Sequence, residues 1–185
     1  MYKDSSAVPT DNVHTNLELK ARIPSLEAAA ATAHHCGARF QGVLVQRDTY
    51  LRVLHGRLKI REIQDVGAEL IYYIRDDRTG VKTSRYMKDP IQNVEVLKSI
   101  LFQSLGILAI VNKRRHLFLY ENARIHIDDV AGLGSFVEFE IVDGGQKPSE
   151  ELMQLLCHTF VISDPNIVKA SYSDLILAET AENST

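Results

Sequence analysis

Polar and apolar residues alternate with a period of two in several stretches of this chain, and nearly all the polar members are charged. In Asn16-Leu17-Glu18-Leu19-Lys20-Ala21-Arg22, every second side chain points to one face of a strand. Glu18, Lys20 and Arg22 therefore share one face, and Leu17, Leu19 and Ala21 share the other. Arg57-Leu58-Lys59-Ile60-Arg61 repeats the pattern with bases, and Phe136-Val137-Glu138-Phe139-Glu140 repeats it with acids. Further strands are predicted over 39–53 (interrupted around Gln46-Arg47-Asp48), 69–75, 81–86, 109–119, 123–130 and 135–142. Asp76-Asp77-Arg78-Thr79-Gly80 has turn chemistry and predicts a hairpin, as do Gly132 and Gly134.

The period changes to helical elsewhere. Pro24-Ser25 opens an alanine-rich helix over 26–36, with Gly37 as its stop. Residues 90–105 place Val94, Leu97, Ile100, Leu101 and Leu105 at helical spacing, capped by Gly106. Pro148-Ser149-Glu150 starts a helix through Phe160, and Asp164-Pro165 starts a shorter one. Residues 1–14 and 178–185 are polar and read as flexible tails around a single domain at 15–177.

Any one alternating strand with charges reads most simply as a solvated outer face. Repetition changes that reading. Lys113 with Arg115, and Arg124 with His126 and Asp128, again share single faces opposite apolar ones. Many strands thus carry charge on one side and apolar side chains on the other, and amphipathic helices are available to cover the apolar side. The economical fold is α+β: about eight strands in a closed or strongly curved antiparallel sheet, with helices packed outside and charges inside. Closure also removes the sheet edges.

Composition sets further bounds. At 185 residues, with 45% hydrophobic and 24% charged residues, the chain suits one well-buried soluble domain. A net charge of −3 disfavours a general nucleic-acid binder. No apolar run reaches the length of a membrane span, and the start lacks the order of a signal peptide, so the expected compartment is the cytoplasm. Cys36 and Cys157 lack metal-type spacing and read as reduced core thiols. His34 and His35 are adjacent and His126 is isolated, so no histidine pair has helical ligand spacing.

A lumen lined with bases repels itself when empty and becomes sensible when a polyanion fills it. Acids among the bases would hold a divalent cation against that anion; carboxylates suit Mg²⁺ or Mn²⁺. Arginine adds bidentate phosphate contacts, and lysine acts as a point charge.

These residues, in this order, resemble the CYTH family, also called triphosphate tunnel metalloenzymes. The family opens on Glu-x-Glu-x-Lys, matched here by Asn16-Leu17-Glu18-Leu19-Lys20. Lys59-Ile60-Arg61, Tyr73-Ile74-Arg75 and Lys113-Arg114-Arg115 resemble its later basic strands. His126-Ile127-Asp128-Asp129-Val130-Ala131-Gly132-Leu133-Gly134-Ser135-Phe136-Val137-Glu138-Phe139-Glu140 is similar to a segment of the class IV adenylate cyclase branch, and Ser171-Tyr172-Ser173-Asp174-Leu175 to that branch's ending.

The resemblance implies a closed eight-stranded antiparallel β-barrel, a tunnel that binds a triphosphate with Mg²⁺ or Mn²⁺. Glu18, Asp128, Glu138 and Glu140 would serve the metal, with Lys20, Glu138 and Glu140 as the catalytic set. Lys20, Lys59, Arg61, Arg75, Lys113 and Arg115 would hold phosphate, with Arg22, Arg57 and Lys82 as outer candidates. The implied activity is cyclisation of ATP to 3′,5′-cyclic AMP and pyrophosphate. The alternatives are hydrolysis of inorganic tripolyphosphate or a nucleoside triphosphate, and non-catalytic binding of a nucleotide or polyphosphate. The resemblance also suggests a homodimer. One departure is specific to this chain: Asn16 stands where the family has its first Glu, offering a neutral amide oxygen instead of a charge.

Overall fold

The computed structural model describes residues 13–75, 81–142 and 146–182. Eight strands close into one antiparallel barrel: β1 (His14–Arg22), β2 (Arg39–Leu51), β3 (Arg57–Ile63), β4 (Gly67–Arg75), β5 (Lys82–Pro90), β6 (Ile107–Tyr120), β7 (Ala123–Val130) and β8 (Gly134–Val142). Around the barrel the order is β1-β5-β4-β3-β2-β6-β7-β8, with β8 pairing back onto β1. Helices α1 (Leu26–His35), α2 (Val94–Leu105), α3 (Ser149–Thr159) and α4 (Tyr172–Glu182) lie outside the wall or across its end.

The two faces of the wall differ as the alternation predicts. Outward residues of β1, β7 and β8 (Leu19, Ala21, Ile125, Ile127, Phe139, Ile141) form one apolar core with Ala29 and Ala33 of α1 and Leu152, Met153 and Leu156 of α3. Lumen-facing residues of the same strands are the charged ones. A second apolar cluster, with Tyr50, Val111, Val130, Phe136 and Tyr172, lies beneath α4.

Local chemistry explains the boundaries. Ser25 caps α1, its Oγ accepting the Ala28 N–H at 3.1 Å. Gly132 and Gly134, with φ of +80° and +90°, make the tight β7–β8 turn, a conformation that L side chains adopt at a cost. At Gly56 (φ +65°) a Cβ would stand 2.7 Å from the Tyr72 hydroxyl, so any other residue would be strained and would displace that ring.

The structure departs from the sequence reading at several elements. β2 runs uninterrupted through Gln46-Arg47-Asp48, because Gln46 and Asp48 are buried and the strand continues its pairing with β3 and β6. Pro90 ends β5 instead of opening α2, whose cap is Asn93. Asp164-Pro165 opens only a 3₁₀ turn, after which Ile167 bridges Ala21 and the Val168 N–H reaches the Lys20 carbonyl at 2.8 Å. That pairing occupies the part of β1 beyond Glu18, where its pairing with β5 ends at Lys82. The last helix instead starts at Tyr172 and continues to Glu182, through part of the stretch expected to be a tail, while β1 already includes His14.

Candidate active site

The lumen forms a cavity of about 140 Å³, several times the roughly 10–15 Å³ that one water needs. Its walls are charged: Lys20, Lys59, Arg61, Lys113, Arg115 and Arg124 line it together with Glu18, Glu138 and Glu140, with Asn16, Tyr50, Tyr73 and Tyr86 among the remaining lining. Ile71 is the one aliphatic side chain among the described lining residues. The sheet register explains the grouping. Glu18 of β1 lies opposite Glu140 of β8, Lys20 opposite Glu138, and Glu138 in turn opposite His126 of β7.

Two buried networks keep the bases in place. The first centres on Asp48, which has no solvent exposure. Its carboxylate accepts from Lys59 Nζ at 2.9 Å, Lys113 Nζ at 3.0 Å, and Arg61 Nε and Nη2 at 2.7 and 2.8 Å. Burial alone would raise the Asp48 carboxyl, but Arg61, Lys113 and Lys59 hold it well below the usual range. Lys113 responds the other way. Burial dominates, Arg115, Arg61 and Lys59 add to it, and together they outweigh Asp48 and pull the ammonium down to about 7.

The second network centres on Arg115. It grips Asp128 with two bonds, Nε to Oδ1 at 2.7 Å and Nη2 to Oδ2 at 2.6 Å, and gives Nη2 to Glu138 Oε2 at 2.7 Å. The Tyr172 hydroxyl donates to Asp128 Oδ2 at 2.9 Å. Lys20 Nζ sits 3.2 Å from Glu138 Oε1 and 3.9 Å from the centroid of the Tyr172 ring. Burial raises the Glu138 carboxyl, yet Lys20, His126 and Arg115 outweigh it and keep the group well below its ordinary range.

The expected site residues thus fall into three groups. Glu18, Lys20, Lys59, Arg61, Lys113, Arg115, Glu138 and Glu140 all line the one cavity. Asp128, expected beside the metal, stands behind Arg115, fully buried, with its oxygens engaged by Arg115 and Tyr172. Its geometry suits orienting Arg115 better than ligating an ion. The outer bases hold the fold's closing segments: Arg57 pairs with Asp174 of α4 at 2.9 Å, Lys82 donates to the Lys169 carbonyl, and Arg22 donates to the Leu133 carbonyl at 2.8 Å. The Arg75 side chain lies outside the described residues, although its backbone pairs with Ser84.

Four residues that the sequence reading did not assign to the site belong to its geometry. Asp48 falls in an apparent strand interruption, Tyr50 in the same predicted strand just beyond it, and Tyr172 in a motif read only as a family ending. His126 was set aside as isolated, yet its Nδ1 lies within 4.8 Å of carboxylate oxygens of Glu138 and Glu140. The donor set fits a divalent cation: two carboxylates kept ionised beside a buried imidazole nitrogen that lacks a hydrogen-bond partner.

A closed antiparallel tunnel with a charged lumen and an apolar, helix-covered exterior defines a class of protein built to surround a polyanion. The chain belongs to the CYTH domain family, whose model matches residues 14–160. This is a triphosphate-binding, metal-dependent family. A Methanocaldococcus jannaschii protein named "Putative adenylate cyclase MJ0240" is 35% identical over 100 residues, which span 51% of this chain and 56% of that protein. A Vibrio parahaemolyticus structure named "putative adenylate cyclase" superposes with a TM-score of 0.69 at 19% identity, covering 88% of this chain and 98% of the other. A Hippeastrum protein, HpAC1, described as a "putative adenylyl cyclase" with a dominant triphosphatase activity, gives a TM-score of 0.60 at 15% identity over 90% and 96% of the two chains. At these identities the two structures share the fold. No helix among the described residues is long and apolar enough to cross a membrane.

Proposed function

We propose that this chain is a metal-dependent enzyme acting on a triphosphate, and that its reaction is cyclisation of ATP to 3′,5′-cyclic AMP and pyrophosphate. The observation that carries the proposal is the pairing of a basic cluster with an ionised acidic one across a single cavity. Lys59, Arg61 and Lys113 converge within hydrogen-bond reach of one anionic group, Asp48, and a phosphate chain entering the cavity meets the same donors. Arg115, held in a fixed plane through Nε and Nη2 by Asp128 and Glu138, has its Nη1 left to donate to a phosphate oxygen. Lys20, beside Glu138 and over Tyr172, stands between the acids and the bases, where negative charge builds on the departing pyrophosphate.

In cyclisation the ribose 3′-oxygen bonds to the α-phosphorus, the bond to the β-phosphate bridging oxygen breaks, and the hydroxyl proton leaves to solvent or buffer. A Mg²⁺ or Mn²⁺ ion beside Glu18, Glu138 and Glu140 would supply Lewis acidity that lowers the hydroxyl pKa. Asn16 in place of a carboxylate weakens any second cation site, which favours an internal hydroxyl nucleophile over metal-activated water.

A second reading, hydrolysis of tripolyphosphate or a nucleoside triphosphate, is favoured by the lining itself. The wall is rich in phosphate-binding groups and offers little aliphatic surface to a base. Purified protein incubated with Mg²⁺ or Mn²⁺ and either ATP or tripolyphosphate separates the two by its products. Cyclic AMP with pyrophosphate is expected; orthophosphate release alone would replace the first reading with the second. Glu138→Gln should lower metal-dependent turnover by about 10²–10³-fold, and unchanged turnover would remove Glu138 from the site.

A further inference from the structure

His126 is the unexplained member of the acidic cluster. It lies on the lumen face of β7, opposite Glu138, and is 4% exposed. Its Nδ1 is buried without a hydrogen-bond partner. That atom stands 3.8 Å from Glu138 Oε2 and 3.9 Å from Glu140 Oε1, too far for hydrogen bonds to either. Buried polar atoms are almost always satisfied, so an imidazole nitrogen without a partner that faces two ionised carboxylates is open to a cation that all three groups can share.

The spacing suits a shared divalent ion. Donors on one six-coordinate ion, with bonds of about 2.1–2.2 Å, stand about 3 Å apart when adjacent and about 4.3 Å apart when opposite. The 3.8 and 3.9 Å separations fall between these limits, so small rotations of the carboxylates would enclose an ion. Coordination does not require Glu138 to give up its existing partners. Arg115 takes one site on Oε2 and Lys20 faces Oε1, while a carboxylate offers about four lone-pair sites. Asn16, whose buried Oδ1 also has no partner, lines the same cavity and carries no charge.

We propose that His126 Nδ1 ligates the cation together with Glu138 and Glu140, and that this nitrogen gives the site a preference for Mn²⁺, Co²⁺ and Ni²⁺ over Mg²⁺. The proposal rests on reading the lumen as a metal-dependent site. Mg²⁺ favours all-oxygen shells, whereas imidazole raises affinity for the later divalent ions. A histidine among carboxylates therefore narrows the choice of ion that carboxylates alone leave open.

The test uses the full chain and metal ions alone, without nucleotide. Mn²⁺-loaded wild-type protein should show ¹⁴N coupling from a directly bound imidazole in electron spin echo envelope modulation. His126→Asn should abolish that coupling and weaken Ni²⁺ binding by at least about tenfold, while Mg²⁺ affinity changes little. Mn²⁺ binding without nitrogen coupling, or Ni²⁺ affinity unaltered in His126→Asn, would overturn the role of His126 and leave the metal site standing. Failure of wild-type protein to bind Mn²⁺ would overturn both. The coupling is read first on wild-type protein, so a poorly folded variant does not remove the test; Glu140→Gln provides a second variant and should weaken both Ni²⁺ and Mg²⁺.

Discussion

Asp48 is the residue on which the basic half of the lumen depends. Three bases converge on one fully buried carboxylate. Removing one partner from a buried ionic cluster leaves uncompensated charge, a loss of about 3–5 kcal/mol. Asp48→Asn should therefore lower the thermal midpoint by roughly 6–20 °C for a chain of this size. Added tripolyphosphate should restore more of that loss than it adds to wild-type protein, because it supplies the missing negative charge. An unchanged midpoint would show that the bases do not rely on Asp48. Lys113 makes a pH prediction. Its ammonium titrates near 7 in the folded chain against an ordinary value of 10.5. Between those values the unfolded chain binds more protons, so the contribution of this group to stability rises with pH across that window. A triphosphate beside Lys113 favours the charged form, so binding at pH 8 should take up a proton. Calorimetry in buffers of different ionisation heat reads that uptake directly, and Lys113→Met should eliminate it; equal uptake in the variant would assign the proton elsewhere.

At the scale of elements, the eight strands were legible because period-two alternation survives wherever one face is apolar and covered. Inward charges made Glu18, Lys20, Lys59, Arg61, Lys113, Arg115, Glu138 and Glu140 readable as one set. What stayed hidden has physical causes. A buried acid within β2 looks like a break in hydrophobicity, because the pattern cannot show that Lys59, Arg61 and Lys113 arrive from neighbouring strands. His126 has no ligand at helical spacing, since its partners are across-strand neighbours on β8. The start of α4, by contrast, carried a local signature that went unused. Ser171 Oγ accepts the Asp174 N–H at 3.2 Å, and Asp174 Oδ2 accepts the Ser171 N–H at 3.0 Å, a reciprocal capping box. That helix sets Tyr172 against Asp128 and beneath Lys20. Tyr172→Phe, which deletes one hydroxyl from a buried network, should cost about 1–3 kcal/mol in urea unfolding. No measurable loss would mean that the hydroxyl is not needed to orient Asp128.

At the scale of the molecule, the barrel reverses the usual arrangement of a small β-barrel. Its apolar side chains face outward under α1 and α3, and its ionised side chains face inward. Desolvating so many charges is costly unless each is paired, and the Asp48 and Arg115 networks provide that pairing when the lumen holds no ligand. The same arrangement prepares the bases for an anion, since their positions are fixed before it arrives. The claim that the lumen is built for a triphosphate is tested most directly by titrating wild-type protein with tripolyphosphate and with orthophosphate in the presence of Mn²⁺. One tripolyphosphate per chain is expected, bound at least about 100-fold more tightly than orthophosphate, a difference of about 2.7 kcal/mol. Equal affinities for the two anions, or no binding of either, would contradict it.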